Sequence, residues 1–448
     1  MTAPIDALDP DDAPVGSDEQ MLTKLLRETF DYFVFEENKH TGLMPDHNAP
    51  GTPASIAVVG MALSAYVVAV ERGIMTRATA IERTLRVLRF FAASEQSESA
   101  TATGYKGFYY HFIDVRHGKR AWSSELSTID TGFLIAGMLV AADFFTASGH
   151  DETEIRALAD MLYRRVDWTW ALNGGTTLSH GWKPDTGFLP YRWDDGYNEA
   201  MLLYVLALGS PTFPIPVEGY LQWTSTFEWR SVYGFDYFYA GPLFIHQFSH
   251  QWLDFRGIRD DASRQRGLDY FENSRRATAV HREYAIQNPN GFAQYSAFGW
   301  GLTASDGPGP ARLKVDGRQR QFLGYAARGA PDGPDDGTIS PWAVVASLPF
   351  APSDVLATVR HAIERLKLKH RRLYGFDASF NPTFPDTQRH ALGWISPWRF
   401  GINQGPIVMM IGNYQSAVIW NVTKRCRYLR AGLRRAGFRG GWLDVEAP

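Results

Sequence analysis

The sequence predicts an all-α fold, helical hairpins closed into a ring with long aromatic loops forming a cleft on one face. Three observations carry this. Apolar residues recur at spacings of three and four along most of the chain, the period of a helix with one buried stripe. Alternating strand patterns are few, the best being short pieces such as 107–113. No low-complexity linker and no fixed-period repeat divides the 448 residues, so the helices are expected to share one body. Residues 1–17 are expected as a disordered lead-in and 18–448 as a single domain.

The periodicity places helices near 18–37, 53–72, 76–95, 127–148, 152–171, 196–208, 216–223, 240–255, 261–284, 340–348, 352–373, 403–423 and 424–436. The connections between them are long at 97–126, 172–196, 224–240, 286–340 and 374–402, and they are rich in Gly, Trp, Tyr and Asp. Long irregular loops are uncommon in compact domains and are often functional. Because they alternate with helices, they are expected to gather on one rim.

Composition narrows the function. A formal charge of −3 gives no electrostatic reason to expect nucleic acid or an anionic membrane as a partner. The basic residues at 424–435 read as a solvated helix face. Cys426 is the single cysteine, so no intrachain disulfide can form. The first twenty residues have no basic n-region and no apolar core of a secretory leader. No apolar run has the length of a membrane span. A cytoplasmic protein is the expectation. Aromatic residues make up 14%, with 14 Trp, many of them in loops. Sugar rings carry apolar C–H faces that stack on such side chains.

Carboxylates cluster in the same loops. Glycosidic cleavage needs one carboxylic acid to protonate the leaving oxygen and one carboxylate to act as base or nucleophile. Glu125 and Asp130 lie just before and at the start of an apolar helix. Ser127-Thr-Ile-Asp130 also matches a capping box, so Asp130 has a structural reading beside the chemical one. Tyr110 and His111 read equally as sugar contacts or core residues. A second segment, 182–199, holds Asp185, Asp194, Asp195 and Glu199 beside Trp182, Tyr191, Trp193 and Tyr197. Glu199 begins an apolar helix, where a carboxylate suits the macrodipole. A carboxylate pressed against aromatics has a raised pKa and suits a general acid.

Other motifs are weaker. His246 and His250 stand at i, i+4, but the run lacks the HExxH pattern and a third ligand, so polar core or substrate contacts are the better reading for both. Trp300 heads a Gly-rich turn. No nucleophile elbow, phosphate loop, metal motif or organic-cofactor motif is found, and no cofactor is expected.

Taken in order, the blocks GFYYHFID, ELSTIDTGFLIAG, DDGYNEAM, GPLFIHQFSHQWLDFRG, WGLTASDGPGP, DDGTISPWA, YGFDASFNPTF and INQGPIVMMIGNYQSAVIW resemble the glucoamylase-like family of bacterial β-1,2-glucanases. That family comprises glycoside hydrolase family 144 and its relatives, including the transglycosylase domains of cyclic β-1,2-glucan synthases. The resemblance runs from about residue 105 to 420. It implies an (α/α)6 barrel that hydrolyses β-1,2-glucan or its oligosaccharides, with or without transglycosylation. It also implies Glu199 with Glu125 or Asp130 as the catalytic acids. Tyr110, His111, Trp182, Tyr191, Trp193, Asp195, Tyr197, His246, Trp300 and Asn403 would line the sugar subsites.

One block departs from the pattern. The family's I-D-Q-G-P reads Ile402-Asn403-Gln404-Gly405-Pro406 here, and an amide does not titrate in this range. The base would then be another acid, such as Asp130 or Asp386, or the enzyme would be retaining. A carboxyl separation of roughly 5–5.5 Å favours retention and about 6.5–9.5 Å inversion. Two further readings stay open: a different glycan substrate, and a catalytically silent glycan-binding protein.

Overall fold

The computed structural model describes residues 15–368, 374–385 and 392–445. Asp386 lies outside the described residues. The helices among them are α1 (Asp18–Phe35), α2 (Ile56–Glu71), α3 (Arg77–Ala93), α4 (Thr128–Phe144), α5 (His150–Arg165), α6 (Met201–Gly209), α7 (Val217–Thr224), α8 (Asp261–Gln265), α9 (Tyr270–Gln287), α10 (Pro341–Ala346), α11 (Pro352–Glu364), α12 (Gly401–Ser416), α13 (Val418–Thr423), α14 (Arg427–Arg435) and α15 (Gly441–Asp444). The chain is helix-rich, and no described helix is long and apolar enough to cross a membrane.

Two kinds of helix are present, and sequence explains the division. Helices α2, α4 and α6 are apolar on every face, and nearly all their residues are buried. A helix hydrophobic all round belongs inside. Helices α1, α3 and α5 bury one stripe and expose the other. Side-chain caps set the starts of two of them: Ser17 and Gln20 form a full capping box for α1, and Thr76 caps α3.

The buried helices pack side by side in the order α10, α12, α2, α4, α6. The amphipathic helices lie against them, α1 on α12, α3 on α2, α5 on α4, α14 on α6 and α11 on α10. The approach of α2 to α4 depends on two glycines. A Cβ at Gly60 would be driven into the Phe133 carbonyl, and one at Gly137 into the Gly60 carbonyl.

The helix expected over 240–255 is absent. In its place stand two short 3₁₀ turns, Leu243–His246 and Ser249–Gln251. The reason is where the backbone carbonyls go. His250 O accepts from Trp420 Nε1 at 2.7 Å, Gln251 O from Asn413 Nδ2 at 3.0 Å and Trp252 O from Thr423 Oγ1 at 2.6 Å. With their acceptors used by other elements, these residues have no need of an α-helical ladder. The segment bridges α6 to α10: Ser249 Oγ accepts from Leu202 N at 3.1 Å, and Gln247 Nε2 donates to Ala343 O at 2.7 Å.

Short strands tie the loops at one rim. A five-stranded antiparallel sheet runs through 104–105, 108–110, 126–127, 181–183 and 187–188. Residues 112–113 turn away to pair with 54–55, matching Ser55 with Phe112. Residues 126–127 lead into α4, and 54–55 lead into α2. His111 sits at the junction: its amide donates to Glu125 O at 2.9 Å, and its carbonyl accepts from Ile56 N at 3.2 Å.

Candidate active site

A pocket of about 390 Å³ opens where the N-terminal ends of α2, α4, α6, α10 and α12 converge. Its acidic lining residues are Asp46, Asp130 and Glu199, joined by His111, Asn403 and Tyr325. Phe112, Phe133, Phe244, Phe248, Trp342 and Phe400 supply the apolar surface. A second hollow, of about 590 Å³, adjoins it beyond Phe112 and is lined by His47, Asn48, Asp114 and the exposed Trp122. The Phe112 and Trp122 rings lie 4.8 Å apart.

Glu199 stands just before Ala200, the N-cap of α6, and its carbonyl accepts from Ser249 Oγ at 3.1 Å. Burial among apolar side chains pushes its carboxyl up to about 7; its own amide opposes the rise and the Asp130 charge adds to it. At neutral pH the group therefore holds a proton for a large part of the time.

Asp130 occupies the first turn of α4. Ser127 Oγ caps the Asp130 amide at 3.2 Å and donates to Asp130 Oδ2 at 2.5 Å. Only half of the expected capping box forms: Ser127 caps the Asp130 amide, while the Asp130 carboxylate accepts from Ser127 Oγ rather than from the Ser127 amide and lines the pocket. Burial raises the Asp130 pKa; His111 and Ser127 relieve the rise in part, and Glu125 and Asp46 add to it.

His111 stands between two carboxylates. Nδ1 donates to Glu125 Oε1 at 3.1 Å, and Nε2 faces Asp130 Oδ2 across 3.6 Å. The ring stacks on Phe112 at 3.9 Å. Burial works against an imidazolium here, but Asp130, the bond to Glu125 and the charges of Glu125 and Asp46 outweigh it and lift the pKa to about 9. Burial would also raise Glu125, and there His111 and Lys183 more than offset it, so Glu125 titrates below its ordinary value. Glu125 does not line the pocket; it backs His111.

The Glycoamylase family model matches residues 190–427. A glucoamylase-like protein of Bacteroides uniformis, of solved structure, is 31% identical over an alignment covering 96% of this chain and 99% of that one, with a TM-score of 0.83. The chain belongs to the Glycoamylase family. An endo-β-1,2-glucanase of Chitinophaga pinensis, solved with sophorotriose and glucose, is 26% identical and covers 95% of this chain and 99% of its own, with a TM-score of 0.81. An exo β-1,2-glucooligosaccharide sophorohydrolase of Parabacteroides distasonis is 28% identical over 91% of this chain, and the match spans 56% of that relative's length.

Within this family member the sequence-predicted residues divide. Glu199, Asp130, His111 and Asn403 meet at one pocket. Of the four acids in 182–199, Glu199 alone lines it: Asp185 pairs with Arg120 at 3.2 Å, Asp194 accepts from Thr177 Oγ1 at 3.0 Å, and Asp195 is exposed away from it. Trp182 is half-buried against Tyr105 and Trp170, and Tyr191 is exposed beside His180.

Several expected sugar contacts are core residues instead. Trp300 is fully buried, and its Nε1 donates to Thr358 Oγ1 at 3.0 Å. Trp193 stacks on His180 at 3.8 Å and donates from Nε1 to Thr128 Oγ1 at 3.0 Å. Tyr197 is buried in the cluster with Phe227 and Tyr270, and the Tyr110 ring is buried under the Arg120 guanidinium. His246 bonds Ala240 O at 3.2 Å while His250 bonds Ser274 Oγ at 2.9 Å. Burial pushes these imidazoles down to about 4 and about 3, so both are neutral members of the core rather than a ligand pair. Indoles and imidazoles can satisfy their polar tips inside, as Trp300, Trp193 and His246 do here.

Asp46 and Tyr325 were not singled out by sequence. Pro45-Asp-His-Asn48 reads as an ordinary turn. No local pattern marked Asp46: it stands well before α2 and is tied to the start of α12 through Gly401 N. Two buried donors on the lining, Asn403 Nδ2 and Trp342 Nε1, have no hydrogen-bond partner among the described residues.

Proposed function

We propose that this chain is a glycoside hydrolase acting on β-1,2-linked glucan or its oligosaccharides, with Glu199 as general acid. The observation that carries the proposal is Glu199 itself, a carboxyl poised near neutrality at an aromatic-lined pocket. The substrate class rests on the relatives, a sophorohydrolase and an endo-β-1,2-glucanase. The helix order supports reading residues 18–448 as one (α/α)6 catalytic domain, with 243–251 standing in for the sixth inner helix.

The chemistry follows from the residues. A glycosidic oxygen leaves as an alcohol, so it needs a proton as its bond to C1 breaks. Glu199 holds that proton because burial and Asp130 both disfavour its anion. His111, kept cationic by Glu125 and Asp130, prevents the three carboxylates from accumulating uncompensated charge. The aromatic lining offers faces to the sugar C–H groups. Asn403 Nδ2 and Trp342 Nε1 are donors for sugar hydroxyls, since a buried donor left without a partner is costly.

The test is incubation with linear β-1,2-glucan, following products by chromatography and proton NMR. Shortened sophorooligosaccharides should appear with the native chain and vanish with Glu199→Gln. No cleavage of any β-glucan by the native chain would remove the assignment.

A further inference from the structure

The pocket needs a second carboxylate for the attacking water, and Asn403 is an amide. Asp130 stands on the acid's own side of the pocket: its charge acts on Glu199, and its Oδ2 receives Ser127 Oγ and faces His111. Glu125 stands behind His111, off the lining. Among the described residues the remaining acid on the lining is Asp46.

Asp46 is held with unusual firmness for a loop residue. Its amide donates to Pro53 O at 2.9 Å, and its carbonyl accepts from Gly401 N, the first residue of α12, at 2.7 Å. Next to it, Asn48 N donates to Arg399 O at 3.1 Å, and Arg399 N returns a bond to Asn48 Oδ1 at 2.8 Å. Its carboxylate has one hydrogen-bond partner among the described residues, His47 Nδ1 at 3.0 Å on Oδ2, which leaves Oδ1 for a water. The His47 ring is itself fixed against Phe400 at 4.9 Å. Asp46 lines the pocket together with His111, Asp130 and Tyr325. It stands on the α12–α2 side, whereas Glu199 stands at α6, beyond α4.

We propose that Asp46 is the general base of this pocket, taking the proton of the attacking water on the wall across from Glu199. The proposal rests on the functional reading above. In the step, Glu199 gives its proton to the bridging oxygen as the bond from that oxygen to C1 breaks. The water oxygen bonds to C1 from the other face, and its proton passes to Asp46. The products are an alcohol, a sugar with inverted C1, ionised Glu199 and protonated Asp46; exchange with solvent resets both groups.

The experiment compares the native chain, Asp46→Asn and Glu199→Gln on linear β-1,2-glucan. Native turnover releasing the α-anomer first is expected. Asp46→Asn should lose on the order of 10²–10⁴ in kcat with KM nearly unchanged. Added azide, which attacks without needing a base, should restore that variant and yield the α-glycosyl azide. A β-anomer released first, or an Asp46→Asn variant keeping more than about a tenth of native kcat, overturns the assignment of Asp46 while leaving Glu199 in place. A loss that azide does not restore and that comes with lost glucan binding, measured by calorimetry, makes Asp46 structural and likewise overturns it. Absence of native turnover overturns the functional reading, and Asp46 as its base falls with it.

Discussion

The two walls of the pocket place carboxylates by different means. On the α4–α6 wall, charge does the work. His111 lies between Glu125 and Asp130, and the Asp130 charge in turn helps keep Glu199 protonated. On the α12–α2 wall, the backbone does the work: Asp46 is tied by its own amide and carbonyl to Pro53 and Gly401. The first wall tunes when a proton is present. The second fixes where a carboxylate stands. An acid needs the former and a base the latter, because a water must be met at a defined point.

The largest effect should come from removing the tuned proton. Glu199→Gln keeps the shape and loses the acid, so kcat should fall by on the order of 10²–10⁴ with little change in KM. Steady-state kinetics on a β-1,2-glucooligosaccharide reads this directly. A fall confined to KM would mean that Glu199 binds sugar and donates nothing.

The second break is on the tied wall. A Cβ at Gly401 would press into the Val58 side chain and the Tyr32 ring, both buried. Gly401→Ala should therefore cost about 1–3 kcal/mol of stability by urea unfolding, the usual scale of overpacking. It should also lower kcat, because the Gly401 amide that holds the Asp46 carbonyl must move. Unchanged stability would mean that α12 slides freely past α2 and that the wall is looser than its hydrogen bonds imply.

The charged wall was legible in the sequence because its parts are local. Ser127 to Asp130 is a four-residue capping pattern, and Glu199 sits at the head of an apolar run. The tied wall was not. The partners of 46 and 48 are 401 and 399, a separation over which no periodicity or cap carries information. Seen locally, Pro45-Asp46-His47-Asn48 is turn chemistry, and an acid in a turn has an adequate structural reason to be there. The alternation of buried and amphipathic helices was readable for the same reason that Ser127 was. The segment 240–255 was misread because its apolar spacing is helical, whereas its carbonyls are claimed by Trp420, Asn413 and Thr423 from far along the chain. Aromatic content suggested a stacking surface for sugars, but two of the residues it singled out are spent on the protein: Trp193 stacks on His180, and Trp300 is buried with its Nε1 bonded to Thr358.

A subtler change sharpens the charged wall without dismantling it. In Asp130→Asn the negative charge beside Glu199 is gone, while burial, the larger cause of the raised pKa, stays. A general acid works in its protonated form, so activity falls as pH rises through the acid's pKa, about 7 here. Removing Asp130 should move that alkaline limb to lower pH. A displacement of about half to one unit would reduce the rate above pH 7 by roughly three- to tenfold while leaving the rate at pH 5 nearly intact. A limb that does not move would mean that burial alone poises Glu199. A limb that moves upward would mean that a titrating group other than Glu199 sets it.

The smallest expected effect lies outside both walls. Trp122 is 59% exposed, packs on Phe112, and faces the second hollow rather than the pocket. It touches none of the three acids on the lining, so Trp122→Ala should leave kcat and the pH profile unchanged. If glucan continues past Phe112 into that hollow, the lost stacking face is worth about 0.5–1.5 kcal/mol, a rise in KM of roughly two- to tenfold. The rise should appear with long oligosaccharides and be absent with the shortest substrate cleaved. Equal KM changes for long and short substrates would place Trp122 in contact with the reacting sugars, and would move the boundary between the two hollows to the outer side of the indole.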